Sequence, residues 1–172
     1  HEAIPGHHLQ VALNLENEDL TLYRRFGYGT SAFSEGWALY SERLALEAGL
    51  AEDPYDELGV LQSELFRAVR LVVDTGMHFK RWTREEAMAY MKDVTGMSDT
   101  EVRVEIERYI VWPGQACSYK VGMLKILELR DEAKENLGEN FDIKDFHSIV
   151  LEQGQPPLFI VEELVNGMIV KK

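Results

Sequence analysis

Apolar residues recur every three or four positions along most of the chain, and strict apolar–polar alternation is nearly absent, so the pattern predicts helices rather than strands. A first helical segment covers roughly residues 1–17 and is interrupted at Pro5-Gly6. Residues 23–30, polar and aromatic with two glycines, predict a loop. Residues 31–50 predict a helix with Ala38, Leu44, Ala45 and Ala48 on its apolar stripe and Gly49 at its C-terminus. Asp53-Pro54 then reads as an N-cap followed by proline in the first turn. The helix it opens carries Leu58, Leu61, Leu65, Val69 and Val72 as a core stripe, until Asp74-Thr75-Gly76 disturbs it. Two capping boxes follow, at residues 83–86 and 98–101. The first starts a short helix ending near Gly96. The second starts a long one that breaks or kinks at Pro113-Gly114 and resumes to about residue 134. Residues 142–153 and 157–170 predict two shorter helices. The expected architecture is all-α: roughly seven helices, one of them long and proline-kinked.

Composition narrows the function. There are 18 Lys+Arg against 30 Asp+Glu, a net charge of −12, so no basic stripe exists to neutralise phosphates and a nucleic-acid partner is not expected. No apolar run is long enough to span a membrane. A lone Cys117 excludes an intrachain disulfide framework and reads as a small buried apolar residue. Residues 1–172 form one helical domain, with no repeat and no linker. Because the chain opens at His1 rather than Met, it is expected to be a fragment of a longer protein whose N-terminal part is missing. The compartment stays open.

The chemistry concentrates at the start. Three of the five histidines lie in His1-Glu2-Ala3-Ile4-Pro5-Gly6-His7-His8. A histidine–glutamate pair followed by further histidines is the composition of a hydrolytic zinc centre. There, neutral imidazoles hold the metal and the glutamate takes a proton from the metal-bound water. The usual spacing is His-Glu-x-x-His, because residues four apart project from one helix face. Here the fifth position is Pro5, so that spacing is absent. On an unbroken helix His7 would sit about 120° around from His1, and His8 would lie ~10.5 Å along the axis. Neither converges on one ion through bonds of ~2.1 Å. Pro5, however, has no N–H to return to the His1 carbonyl, and Gly6 tolerates unusual backbone geometry. A bulge absorbing two extra residues brings His7 to the place of the missing fifth position. His7 needs the smaller distortion and is preferred, with His8 as the alternative. Glu35, in Ser34-Glu35-Gly36-Trp37, is the candidate third ligand on the next helix. Glu42, seven residues on and on the same face, is placed to orient a ligand histidine.

The chain also resembles the C-terminal part of a large bacterial family known as DUF885. The residues carrying the resemblance are His1-Glu2-Ala3-Ile4-Pro5-Gly6-His7-His8-Leu9-Gln10 and Ser34-Glu35-Gly36-Trp37-Ala38-Leu39-Tyr40-Ser41-Glu42. They continue with Arg70-Leu71-Val72-Val73-Asp74-Thr75-Gly76-Met77-His78 and with the block from Arg108-Tyr109 through Trp112-Pro113-Gly114-Gln115-Ala116-Cys117-Ser118-Tyr119 to Gly122. Phe146-His147 and Gly154-Gln155-Pro156-Pro157-Leu158 complete them. The resemblance implies a gluzincin-type metallopeptidase with a helical, oligopeptidase-like core, one Zn²⁺ and a peptide substrate, with residues 1–172 as the C-terminal catalytic portion of a longer protein whose N-terminal part is its partner. The chain departs from better-known gluzincins in its His-Glu spacing and at Leu39, where an acid often follows the glutamate by four residues.

A zinc peptidase also needs donors for the oxyanion that develops on the substrate carbonyl. Tyr119, Tyr109 and His147 are of the right type, and Tyr119, just past the proline break, is preferred. Glu2 is the candidate general base. Gln115 is a candidate for a substrate amide, and Asp74 and His78 for contacts behind the ligands or in the cleft wall. Arg67 and Arg70, three apart on one face, are placed to meet a substrate carboxylate or to pair with acids. A contrasting expectation is a non-catalytic helical peptide-binding or scaffold domain that keeps the same fold.

Overall fold

Asp53, Thr83 and Ser98 each cap a helix with both halves of a capping box, accepting from the backbone N–H three residues on while the N3 carboxylate reaches back. They open α4 (Pro54–His78), α5 (Arg84–Thr95) and α6 (Asp99–Val111). The other helices are α1 (His7–Glu16), α2 (Leu22–Phe26), α3 (Ser31–Glu47), α7 (Ser118–Leu137), α8 (Ile143–Leu151) and α9 (Leu158–Lys171). The structure is a computed structural model and describes residues 1–27 and 29–171. Among these residues there is no strand, and the fold is all-helical.

Four local differences from the sequence reading have physical causes. The first helix begins at His7, because residues 1–6 form turns instead of a helical start. Within the predicted 23–30 loop lies the short α2, capped by Thr21, whose side chain accepts from Arg24 N; Tyr28 lies outside the described residues. Helix α4 continues through Asp74-Thr75-Gly76 to His78. The Asp74 carboxylate does not break its own helix; it accepts from the N–H of Gly114, while Thr75 Oγ1 donates to Leu71 O at 2.6 Å. The long proline-containing stretch separates fully into α6 and α7, joined by Pro113-Gly114 and one 3₁₀ turn.

Two apolar cores result. Phe33, Trp37, Leu39 and Tyr40 of α3 pack with Met123, Ile126 and Leu129 of α7 and with residues of α8 and α9. Val69 and Val73 of α4 pack with Ala87, Met91, Val102 and Ile106 of α5 and α6. Each large apolar side chain buried this way contributes roughly 1.5–3 kcal/mol. The α4 stripe read as core is only partly so: Val69 is buried, but Leu58 is 58 %, Leu61 47 % and Leu65 42 % exposed. Helices α3 and α7 approach so closely that a Cβ on Gly36 would lie 2.5 Å from the Gly122 Cα. This close crossing sets Glu35 on α3 beside Tyr119 on α7.

Candidate metal centre

The six residues before α1 close a loop that substitutes for a helical turn. His7 N donates to His1 O at 2.8 Å and His8 N to Glu2 O at 3.0 Å, each spanning six residues where an α-helix spans four. His7 therefore stands, relative to His1, where a fifth residue would stand in a regular helix. Trp37 Nε1 of α3 donates to Pro5 O at 2.9 Å and fixes the loop from outside. Gly6 is required by close approach, since a Cβ there would lie 1.7 Å from the His1 carbonyl oxygen.

Glu35 projects from α3 into this loop. Its Oε2 lies 3.2 Å from His7 Nε2 and 3.6 Å from His1 Nε2. The three ligand-type atoms all fall within 4.8 Å of one another. A tetrahedral zinc site with bonds of ~2.1 Å has ligand–ligand edges of about 3.4 Å, so the donor set and spacing suit Zn²⁺. The two imidazoles meet edge to face, with ring centroids 5.0 Å apart. His8 is exposed and takes no part in the cluster.

Glu42 supplies the support behind it. His1 Nδ1 donates to Glu42 Oε1 at 2.6 Å, which leaves Nε2 facing Glu35 and His7. Glu42 also accepts from Ser63 Oγ at 2.9 Å, and Arg67 Nη1 donates to that same hydroxyl at 2.6 Å. Burial opposes charge on His1, yet hydrogen bonds to Glu35 and Glu42 outweigh it and raise the imidazole to about 9. Burial likewise works against the Glu35 carboxylate, but His1, His7 and Tyr119 hold it down to about 2.

The other predicted residues divide clearly. The Tyr119 ring stacks on His1 with centroids 6.1 Å apart, and Tyr119 is one of the groups that favour the charged Glu35 carboxylate. The Glu2 side chain is exposed at the rim, with no partner among the described residues. His147 belongs to a different cluster: Tyr40 Oη lies 2.8 Å from its Nε2, and its ring packs on Trp37 and Phe146. Burial and the Arg130 charge push that imidazole below its ordinary range. Asp74, His78 and Gln115 hold the bend between α6 and α7 rather than facing the cluster. Asp74 binds Gly114 N, His78 Nε2 donates to Tyr109 O, and Gln115 Oε1 accepts from Arg108. Tyr109 is buried against Glu105 and Arg70. The two arginines offered for a substrate carboxylate are already engaged, Arg67 near Glu42 and Arg70 with Glu105 at 2.9 Å. Sequence reasoning missed Trp37 and Ser63; the indole two residues past Glu35 was the available signal for the first.

Fold and site together define an all-helical protein with a half-buried two-histidine, one-glutamate cluster of metal-binding geometry. Residues 1–165 match the family described as bacterial protein of unknown function, DUF885, and the chain belongs to it. It is similar to a solved "putative lipoprotein" from Colwellia psychrerythraea, with 55 % identity and a TM-score of 0.94 over 99 % of this chain and 29 % of that one. It is also similar to a "putative lipoprotein of unknown function" from Shewanella oneidensis, with 32 % identity and a TM-score of 0.87 over 95 % of this chain and 30 % of that one. The chain thus spans about three-tenths of the length of these solved relatives. No curated protein matches it.

Proposed function

We propose that the chain is the C-terminal catalytic portion of a zinc-dependent peptidase, with His1, His7 and Glu35 holding one Zn²⁺. The observation that carries this reading is the six-residue hydrogen-bonded loop that brings His7 and His1 together against Glu35, with Glu42 on the far nitrogen of His1. When bound, the ion lowers the pKa of a water and polarises the peptide carbonyl. Glu42 keeps the His1 ring oriented with Nε2 forward. Glu2, at the open rim, takes the proton of the attacking water and passes it to the leaving amine. Tyr119 donates a hydrogen bond to the oxygen on which negative charge develops. The rest of a family-length polypeptide completes the peptide cleft.

Titration of the metal-free, family-length polypeptide with Zn²⁺ tests this directly, together with mass spectrometry of a peptide mixture exposed to its zinc-loaded form. One zinc per chain and zinc-dependent cleavage are expected. Glu2→Gln should keep zinc and lose turnover, whereas Glu35→Gln should lose zinc affinity itself. Full metal affinity and turnover in both variants would refute the assignment. Tight zinc with no cleavage of any peptide would leave the non-catalytic scaffold reading, which the unpartnered Glu2 carboxylate favours.

A further inference from the structure

Helix α4 belongs to a different apolar core from α3, yet two of its polar side chains, Ser63 and Arg67, reach toward Glu42 on α3, directly behind His1. They stand four residues apart on α4 and so share one face of that helix. Arg67 Nη1 donates to Ser63 Oγ at 2.6 Å, and Ser63 Oγ donates to Glu42 Oε2 at 2.9 Å. On the other carboxylate oxygen, Oε1, His1 Nδ1 lies at 2.6 Å. The Arg67 guanidinium stays outside hydrogen-bond range of the carboxylate itself, with Nη2 3.9 Å from Oε1. The rings of Phe66 and Tyr119, 5.4 and 5.8 Å from its central carbon, help to fix it there.

The chemistry of these groups sets the direction of every proton along the chain. A guanidinium has donors only, so the Ser63 oxygen accepts from it. The hydroxyl has a single proton, and that proton goes to Glu42 Oε2. An ionised carboxylate accepts at both oxygens, so the proton at Oε1 is the one on His1 Nδ1. A neutral imidazole with its proton on Nδ1 presents a lone pair at Nε2, the nitrogen 3.6 Å from Glu35 Oε2. The serine also decides how many oxygens are taken. An arginine in direct contact with a glutamate forms a fork that occupies both. With Ser63 between them, Arg67 acts on Oε2 through one hydroxyl, and Oε1 is left to His1.

We infer that Ser63 and Arg67 are positioning residues for the metal centre: together they commit Glu42 to accept from His1 Nδ1, which keeps the Nε2 lone pair of His1 available to the ion. Neither residue touches metal or substrate. This role rests on the zinc centre proposed above and adds α4 to the elements that such a centre requires.

The test is calorimetric titration of the metal-free, family-length polypeptide with Zn²⁺, for wild type, Ser63→Ala, Arg67→Met, Glu42→Gln and the double variant Ser63→Ala/Glu42→Gln. Circular dichroism confirms that each is folded. Loss of the partner behind a metal-binding histidine lowers affinity about 10–100-fold, the effect expected for Glu42→Gln. Ser63→Ala should weaken zinc on the order of tenfold and should cost nothing further in the Glu42→Gln background. Arg67→Met should weaken it by a smaller factor. Arg67→Lys, which keeps a charged donor, should recover part of that loss, and its affinity is read in place of the methionine variant's if the latter does not fold. In ¹H–¹⁵N spectra of the zinc-loaded protein with labelled histidine, His1 should carry its proton on Nδ1, and that resonance should move upfield in Ser63→Ala. A general loss of stability does not produce such a shift. Unchanged zinc affinity in Ser63→Ala or in both Arg67 variants, or losses that multiply in the double variant, would overturn the inference and leave the zinc centre standing. A wild type that binds no zinc would overturn the centre and the inference with it.

Discussion

Gly6 shows how narrowly the centre is built at the scale of one residue. A methyl group at this position would meet the carbonyl of His1, the same carbonyl that accepts from His7. Backbone cannot retreat as the end of a long side chain can, so Gly6→Ala must open the loop. We expect it to cost about 1–3 kcal/mol in urea unfolding and to weaken zinc on the order of tenfold. His8→Ala serves as the control; its ring is exposed, so zinc affinity should stay at the wild-type value. Of the residues that form this centre, His1, His7, Glu35 and Glu42 were legible in the sequence from residue type and spacing. Trp37 and Ser63 were not, because an indole or a hydroxyl acquires its role only when a distant segment arrives to meet it. His147 misled for the same reason: its partner, Tyr40, lies 107 positions away and is invisible to local pattern.

Between elements, the decisive contact is the crossing of α3 and α7. A Cβ on Gly122 would lie 1.8 Å from Ala32 O, and Ser31 Oγ meets Ser118 Oγ at 2.7 Å beside it. Gly122→Ala should therefore push the helices apart, lowering Tm by roughly 2–12 °C for about 1–3 kcal/mol of strain. Because Glu35 and Tyr119 stand on these two helices, zinc affinity should fall with it; unchanged melting and zinc binding would show that the crossing can relax. Most helix starts were readable, since Asp53, Thr83 and Ser98 cap through neighbours three residues away. The continuation of α4 through Asp74-Thr75-Gly76 was not, because it depends on the N–H of Gly114, 40 positions distant.

Across the whole molecule, periodicity distinguished helix from strand but not inside from outside. The spacing of Leu58, Leu61, Leu65 and Val69 is that of a buried stripe, yet only Val69 is buried among these four. The core of this region runs instead through Ile106, Val73 and Met91. Leu61→Lys should shift urea-unfolding stability by no more than about 0.5 kcal/mol, whereas Ile106→Ala should cost roughly 2–5 kcal/mol. Equal losses would show that the α4 stripe is packed in solution. The chain matches about three-tenths of the length of each solved relative.

The six-residue loop has a consequence for how such centres are found by pattern. Striking Pro5 and Gly6 from the written sequence leaves His-Glu-Ala-Ile-His, the familiar four-residue spacing. In three dimensions the fold performs that deletion itself, because the His7 N–H skips the two residues and bonds the His1 carbonyl as a regular helix would after four. A search pattern with fixed spacing passes over this chain, while one permitting a two-residue insertion that ends in glycine detects it. The unit to compare between such proteins is thus the backbone hydrogen bond that joins the two histidines, and the number of letters between them is free to vary.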